Sequence, residues 1–230
     1  MVNYKVTDTD LTAVANAIRA KSGGSAALAF PAGFVSEIGN IPSGGGELSP
    51  TDWFTGDVPE KAIIGDVLPR GANAFEYAPF KVIRWELTTN TASRITTAYI
   101  FSHTDAEVLV MPYYTGTFDN LYVFRDSKKL KVLDTRMTNF NNTICNGCSV
   151  LDTIILRSPT LARMGDVNAL GGTSFDSNGS GGTLYVPQAL ISTYQSATNW
   201  SKILGYTNNQ ILPIEGSIYE TQYADGTPVA

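Results

Sequence analysis

The feature that most constrains this chain is a spaced run of apolar and small residues that returns along its middle. Cys145, Cys148, Leu151 and Ile154 stand three apart, and Phe124, Ser127, Leu130 and Leu133 repeat those offsets. Phe101, Thr104, Ala106 and Leu109 follow with one residue deleted, as do Phe75, Ala78, Phe80 and Ile83. The third anchors fall at 80, 106, 130 and 151, giving steps of 26, 24 and 21 residues. A period of roughly 20–29 residues with one short apolar strand per unit is the signature of a stacked-repeat solenoid. No unit of that size can bury its own apolar face, so neighbours have to cover one another.

The flanks supply ends and an appendage. Over residues 7–41, Leu11, Val14, Ala15 and Ile18 recur at helical spacing after the capping candidates Asp8 and Asp10. Pro31 is placed to open a second helix carrying Phe34, Val35, Ile38 and Ile41. Two such helices cannot hide both apolar stripes alone. The flexible run Ser43-Gly44-Gly45-Gly46 argues against tight docking on the same chain, so residues 1–42 are expected to anchor the protein to a partner. The expected order is a helical module (1–42), a Gly-rich linker (43–49), a solenoid with caps (50–216) and a loose tail (217–230). Trp53, Phe54, Ile63, Ile64 and Val67 should close one end of the stack. At the other end Thr183–Val186 is expected as the last strand. Pro187 then opens a helix with Leu190, Ile191 and Tyr194, and Trp200, Ile203 and Leu204 follow as the cap.

Composition narrows the function. The chain has 230 residues, 16 Lys+Arg and 21 Asp+Glu, hence a net charge of −5. An acidic chain without a basic cluster offers little to a phosphate backbone, which excludes nucleic acid as the expected partner. Its apolar fraction of 43% is enough for a real core, and its charged fraction of 16% lies well below the roughly 25% usual in soluble domains. The opening MVNYKVTDTD has neither the basic nor the apolar region of a signal peptide. No apolar stretch approaches the roughly 20 residues of a membrane span, so neither export by that route nor membrane insertion is expected.

Chemistry-bearing residues are few. The single histidine, His103, lies in the turn Ser102-His103-Thr104-Asp105 without a nucleophile motif and reads as a surface residue. Cys145-Asn-Gly-Cys148 could be a redox pair or half a zinc site. The repeat already explains both cysteines as buried packing residues. Gly171–Thr183 invites a calcium-loop reading through Asp176 and Asn178 but lacks the acidic spacing of one, and reads as a loop between units. No catalytic residue, metal or cofactor is expected. A glycan depolymerase would need only two well-placed carboxylates, and no motif selects such a pair.

The strand faces are more informative. With Ile83, Leu109, Leu133 and Ile154 pointing inward, their successors point outward. That makes a candidate binding ladder of Arg84, Glu86, Asp134, Arg136 and Arg157, with Tyr113 and Tyr114 beside it as sugar-stacking or packing residues.

The unit F-x-x-C/S-x-x-L-x-x-I, best seen at Phe124–Leu133 and Cys145–Ile154, resembles the bacterial surface-type (BspA-like) leucine-rich repeat. LRSPTLARMGDVNAL, from Leu156 to Leu170, and LYVPQALISTYQSATNW, from Leu184 to Trp200, are similar to the ends of such arrays. DLTAVANAIRAKSGGSAALAFPAGFVSEI, from Asp10 to Ile38, is similar to the N-termini of tail-associated and other structural proteins of phages infecting Gram-positive bacteria. The resemblance implies an α/β fold and a non-enzymatic virion protein, assembled in the host cytoplasm. In it Leu11, Val14, Ile18, Phe34, Val35 and Ile38 form the interface to other virion proteins or to further copies, with a trimer as the expected oligomer. The repeat domain would meet a host-surface glycan or protein. A capsid decoration or head-fibre protein and a bacterial surface adhesin are the alternatives.

Overall fold

The structure is a computed structural model that describes residues 60–65, 73–87, 99–115, 122–140, 143–206 and 208–229, together with Thr12, Ala15, Asn16, Ile18 and Arg19. The chain divides into two compact units, Met1–Ser49 and Pro50–Ala230. In the first, the five described residues are helical. Ala15 and Ile18, three apart and so on one face, are buried, whereas Thr12 and Asn16 are exposed. Of the expected apolar stripe Ala15 and Ile18 are described. Leu11, Val14, Phe34, Val35, Ile38, the Gly-rich linker, Trp53, Phe54 and Val67 lie outside the described residues.

The second unit is mixed α/β, built on a parallel sheet. Apart from the separate pair β5 (Asn139–Phe140) and β7 (Arg163–Met164), its strands are β1 (Lys61–Ile64), β2 (Val82–Trp85), β3 (Val108–Met111), β4 (Val132–Thr135), β6 (Thr153–Leu156), β8 (Thr183–Val186) and β9 (Gln210–Pro213). They pair in the order β1-β2-β3-β4-β6-β8-β9. The register is set by the repeat: Ile83 lies against Leu109, Leu109 against Leu133 and Leu133 against Ile154. Leu184 and Ile211 continue that row. Because side chains alternate across a strand, this row and the one two residues on (Trp85, Met111, Leu156 and Val186) fill one face. All of these but Ile211, which is half-buried, are enclosed in a single core. A slip of one residue would turn the whole apolar row to the opposite face, so the pattern fixes the pairing.

A second ladder runs through the turns. The Phe75 N–H donates to the Ile100 carbonyl, Phe101 to Val123, Phe124 to Ile144 and Cys145 to Ala169. The aromatic anchors stack along it, Phe75 on Phe101 at 5.2 Å and Phe101 on Phe124 at 5.8 Å between ring centroids. Beside them Ser127 Oγ donates to the Phe101 carbonyl at 2.7 Å, and one unit later Cys148 Sγ donates to the Phe124 carbonyl at 2.9 Å. Repeat position therefore dictates polar satisfaction as well as packing. In these two units the side chain at that position adds a donor to a buried carbonyl.

Three expectations at the ends are corrected. Thr183–Val186 is not the last strand, since β9 pairs beyond it. The helices α1 (Ile191–Ser196) and α2 (Trp200–Leu204) therefore lie within the β8–β9 connection instead of ending the sheet. Trp200 is nonetheless fully buried, its Nε1–H donating to the Ala162 carbonyl at 2.6 Å, and Tyr194 Oη accepts from the Ala162 N–H. Ile63 and Ile64, expected to close one end of the stack, belong to strand β1 at the edge of the sheet, where Ile64 packs against the core but Ile63 is exposed. Lastly, residues 217–229 are not loose. They carry a short 3-10 helix (Ile218–Glu220), a bridge between Gln222 and Pro228, and a buried Tyr223.

Both cysteines are free and buried. Burial pushes the Cys148 thiol up to about 12 and Cys145 well above the ordinary thiol range. The thiolate is the reactive form, so the native protein at pH 8 should consume no aromatic disulfide reagent, and both thiols should react at once in denaturant. Rapid reaction of either thiol in the folded state would sink the packing role.

Candidate functional site

The outer face of the sheet, opposite the core, carries the candidate ladder. The structure places Arg84, Asp134 and Arg157 together on it, and it buries them. The cover is the C-terminal segment. Arg157 grips Asp134 bidentately, Nε to Oδ1 at 2.6 Å and Nη2 to Oδ2 at 2.9 Å. Its remaining donors reach the Tyr219 carbonyl at 2.7 Å and the Gln222 carbonyl at 2.8 Å. The Ala224 N–H donates to Asp134 Oδ2 at 2.8 Å. Arg84 spans Glu86 Oε1 at 2.8 Å, Thr227 Oγ1 at 2.6 Å and Asp225 at 3.4 Å, and Asp225 also holds Lys61 at 2.8 Å. Both guanidiniums lie over the Tyr223 ring, Arg84 at 4.8 Å and Arg157 at 4.6 Å from its centroid.

The charges that the sequence suggests for a receptor are thus spent on the protein itself. Burial pushes the Asp134 carboxyl above its ordinary range against the pull of Arg157 and the Ala224 N–H. For Asp225 burial acts in the same sense, but Lys61, Thr227 and Arg84 outweigh it and the carboxyl lies below its ordinary range. Tyr114 is also no ligand-stacking residue: it is buried, its ring stacked on Trp85 at 6.3 Å. Tyr113 is half-buried and Glu86 remains partly exposed.

Arg136 differs from the rest of the ladder. It stands one residue past β4, in line with Arg157 after β6, Pro187 after β8 and Ile214 after β9. These four, with Glu215, Glu220, Tyr223 and Val229 from the C-terminal segment, line a cleft of about 270 Å³. Arg136 Nε is enclosed there without a hydrogen-bond partner among the described residues. Sequence reasoning names Arg136 but misses the other wall, because nothing in residues 214–229 announces that they fold back over the sheet.

Two other surfaces were candidates. A larger cleft of about 580 Å³ lies between β7 (Arg163–Met164) and α2, lined by Asn139, Leu161, Arg163, Asn199 and Trp200 among others. Two of its polar side chains are turned to the protein: Asn199 Nδ2 donates to the Met164 and Gly165 carbonyls and Trp200 Nε1 to the Ala162 carbonyl. On the turn edge, His103 stacks on exposed Tyr77 at 5.1 Å, with Nδ1 3.3 Å from Glu76 and Nε2 3.9 Å from Asp126. Tyr77, His103 and Asp126 all adopt the left-handed backbone that Gly147 takes at the next equivalent turn. A side chain on Gly147 would collide with Asp126 Oδ1, so that column of turns ends in glycine for want of room.

Asp176 accepts from the Gly172 and Ser177 N–H groups at 2.9 and 2.7 Å, so the Gly171–Thr183 loop uses its own carboxylate. Among the described residues no group of three or more His, Cys, Asp or Glu is placed to hold a metal ion. No described helix is long and apolar enough to cross a membrane. No protein-family model matches this chain, and comparison with curated proteins and with solved structures returns no match either.

Proposed function

We propose that this chain is a non-enzymatic bacteriophage virion protein that displays a leucine-rich repeat solenoid for adhesion to the host surface. In this reading residues 1–42 fix the chain to the particle, residues 43–49 act as a flexible spacer, and the unit beginning at Pro50 is the displayed domain. The observation that carries it is the division of the chain at Ser49/Pro50, immediately after the Gly-rich run. A separately compact display unit on a flexible tether is what attachment to a surface requires. The sequence resemblance of residues 10–38 to phage structural proteins supports the virion assignment. The solenoid reading is supported by strands joined in sequence order through parallel pairings, and by the turn ladder that repeats with them.

Adhesion suits this architecture because many weakly binding copies on one particle act together. Linked sites gain orders of magnitude in avidity without any new contact, provided the tether lets them engage at once. Electron cryo-microscopy of purified particles, with mass spectrometry of their proteins, tests the reading. The expected result is the chain at the tail tip, attached through residues 1–42. Density over the capsid lattice would make it a decoration protein, and absence from the particle would overturn the virion assignment.

A further inference from the structure

We infer that the cleft beside Arg136 is a binding site for a single acidic sugar, its carboxylate on the Arg136 guanidinium. The inference deepens the adhesion reading, on which its biological meaning rests, by naming the surface and the ligand class. It starts from an imbalance of donors and acceptors. Every other buried charge on this face is paired: Arg157 has two carboxylate oxygens and two carbonyls, and Arg84 has Glu86, Asp225 and Thr227. Among the described residues two arginine Nε atoms are enclosed without a hydrogen-bond partner: that of Arg125 on the turn edge, which has Asp126 Oδ2 at 3.1 Å, and that of Arg136 on this face. An unsatisfied buried donor costs about 1–3 kcal/mol, more when it is charged, and such groups call for a water or a ligand acceptor.

The rest of the cleft selects among acceptors. Four of the five N–H groups of Arg157 are already bonded, whereas Arg136 is the cation with donors to spare for the space, and a planar guanidinium suits a carboxylate. Glu215 Oε2 is held by the Gln188 N–H at 2.8 Å and Glu220 Oε2 by the Gly216 N–H at 2.9 Å. Each therefore keeps one oxygen to accept from a ligand hydroxyl, and their charges penalise a dianion about twice as much as a monoanion. The ligand is accordingly a monoanion with hydroxyl groups. Pro187, Ile214 and Val229 supply an apolar wall for the carbon face of a ring. A volume of about 270 Å³, just below the roughly 300–1,000 Å³ of sites for drug-sized ligands, suits a single sugar residue. The terminal or branching residue of an acidic polysaccharide meets all of these conditions.

The test is a calorimetric and NMR titration of the full chain with sodium glucuronate, with glucose and glucose 1-phosphate as comparisons. Glucuronate should bind saturably with a dissociation constant on the order of 1 mM, a value typical of few contacts. Glucose should bind at least about tenfold more weakly through loss of the charged contact, and the phosphate ester should be disfavoured by the two glutamates. Arg136→Gln should abolish glucuronate binding, whereas Arg163→Gln in the other cleft should leave it intact. Should Arg136→Gln fail to fold, the wild-type comparison of the three sugars decides, with shifts expected at Ile214, Tyr223 and Val229. No saturation, equal binding of glucose, or preference for the phosphate ester would each overturn the inference. Binding by a protein that proves absent from the virion would uphold the site and sink only the adhesion reading.

Discussion

Asp134→Ala is expected to remove about 3–5 kcal/mol of folding stability, because it leaves the Arg157 guanidinium buried without its partner. The carboxylate is fully enclosed and accepts three hydrogen bonds, two from Arg157 and one from the Ala224 N–H. Urea unfolding of the variant checks this, read as a fall in the midpoint with little change in slope. Glu107→Ala is the control, since its partner Lys131 stands in solvent, and its midpoint should stay close to that of the parent. Replacing Asp134 and Arg157 together with leucines should recover much of the loss, as a buried pair is often matched by apolar residues of similar volume. If Asp134→Ala and Glu107→Ala behaved alike, the clamp would not exist in solution.

Ending the chain after Gly216 should be as damaging, by about 3 kcal/mol or more, since it takes partners from several buried charges at once. Arg157 would lose two carbonyls, Asp134 a backbone donor, and Arg84 both Asp225 and Thr227. Val110 and Ile155, fully buried on that same face, would meet water. The truncated protein should therefore melt lower and bind an apolar fluorescent dye that the parent ignores. A melting temperature unchanged by truncation would restore the picture of a loose tail.

These contrasts show what could be read from the residues and what could not. The rows Ile83–Leu109–Leu133–Ile154 and Phe101–Phe124–Cys145 were legible because burial imposes a periodic demand, and the register follows from it. Strand β9 was not, because QILP is short and ends in proline, and one strand of four residues has no period to detect. The C-terminal segment misled for a different reason. Its grip depends on isolated polar residues, Tyr223, Asp225 and Thr227, meeting partners more than 60 positions away, as Arg157 and Tyr219 do. A pattern-based reading sees only local spacing, so it took a polar stretch for a solvated one. The same blindness turned Arg84, Asp134 and Arg157 into candidate ligand contacts: alternation correctly put them on the outer face but could not say that the face is covered. Arg136, which lines the cleft beside Arg157 but lacks its partners, shared their signal.

A stack in which each strand touches only its sequence neighbours behaves as a one-dimensional zipper, prone to fray from either end. The C-terminal segment changes that, because it crosses the strands instead of adding to them. Asp225 reaches Lys61 in β1 and Arg84 in β2, Ala224 reaches Asp134 in β4, and Tyr219 packs on Tyr185 in β8 at 4.8 Å. The first strand therefore cannot peel away without breaking contacts made by the last residues of the chain. The segment works as a staple across the sheet, coupling its ends so that the strands open together and give the unit from Pro50 onward a single melting event.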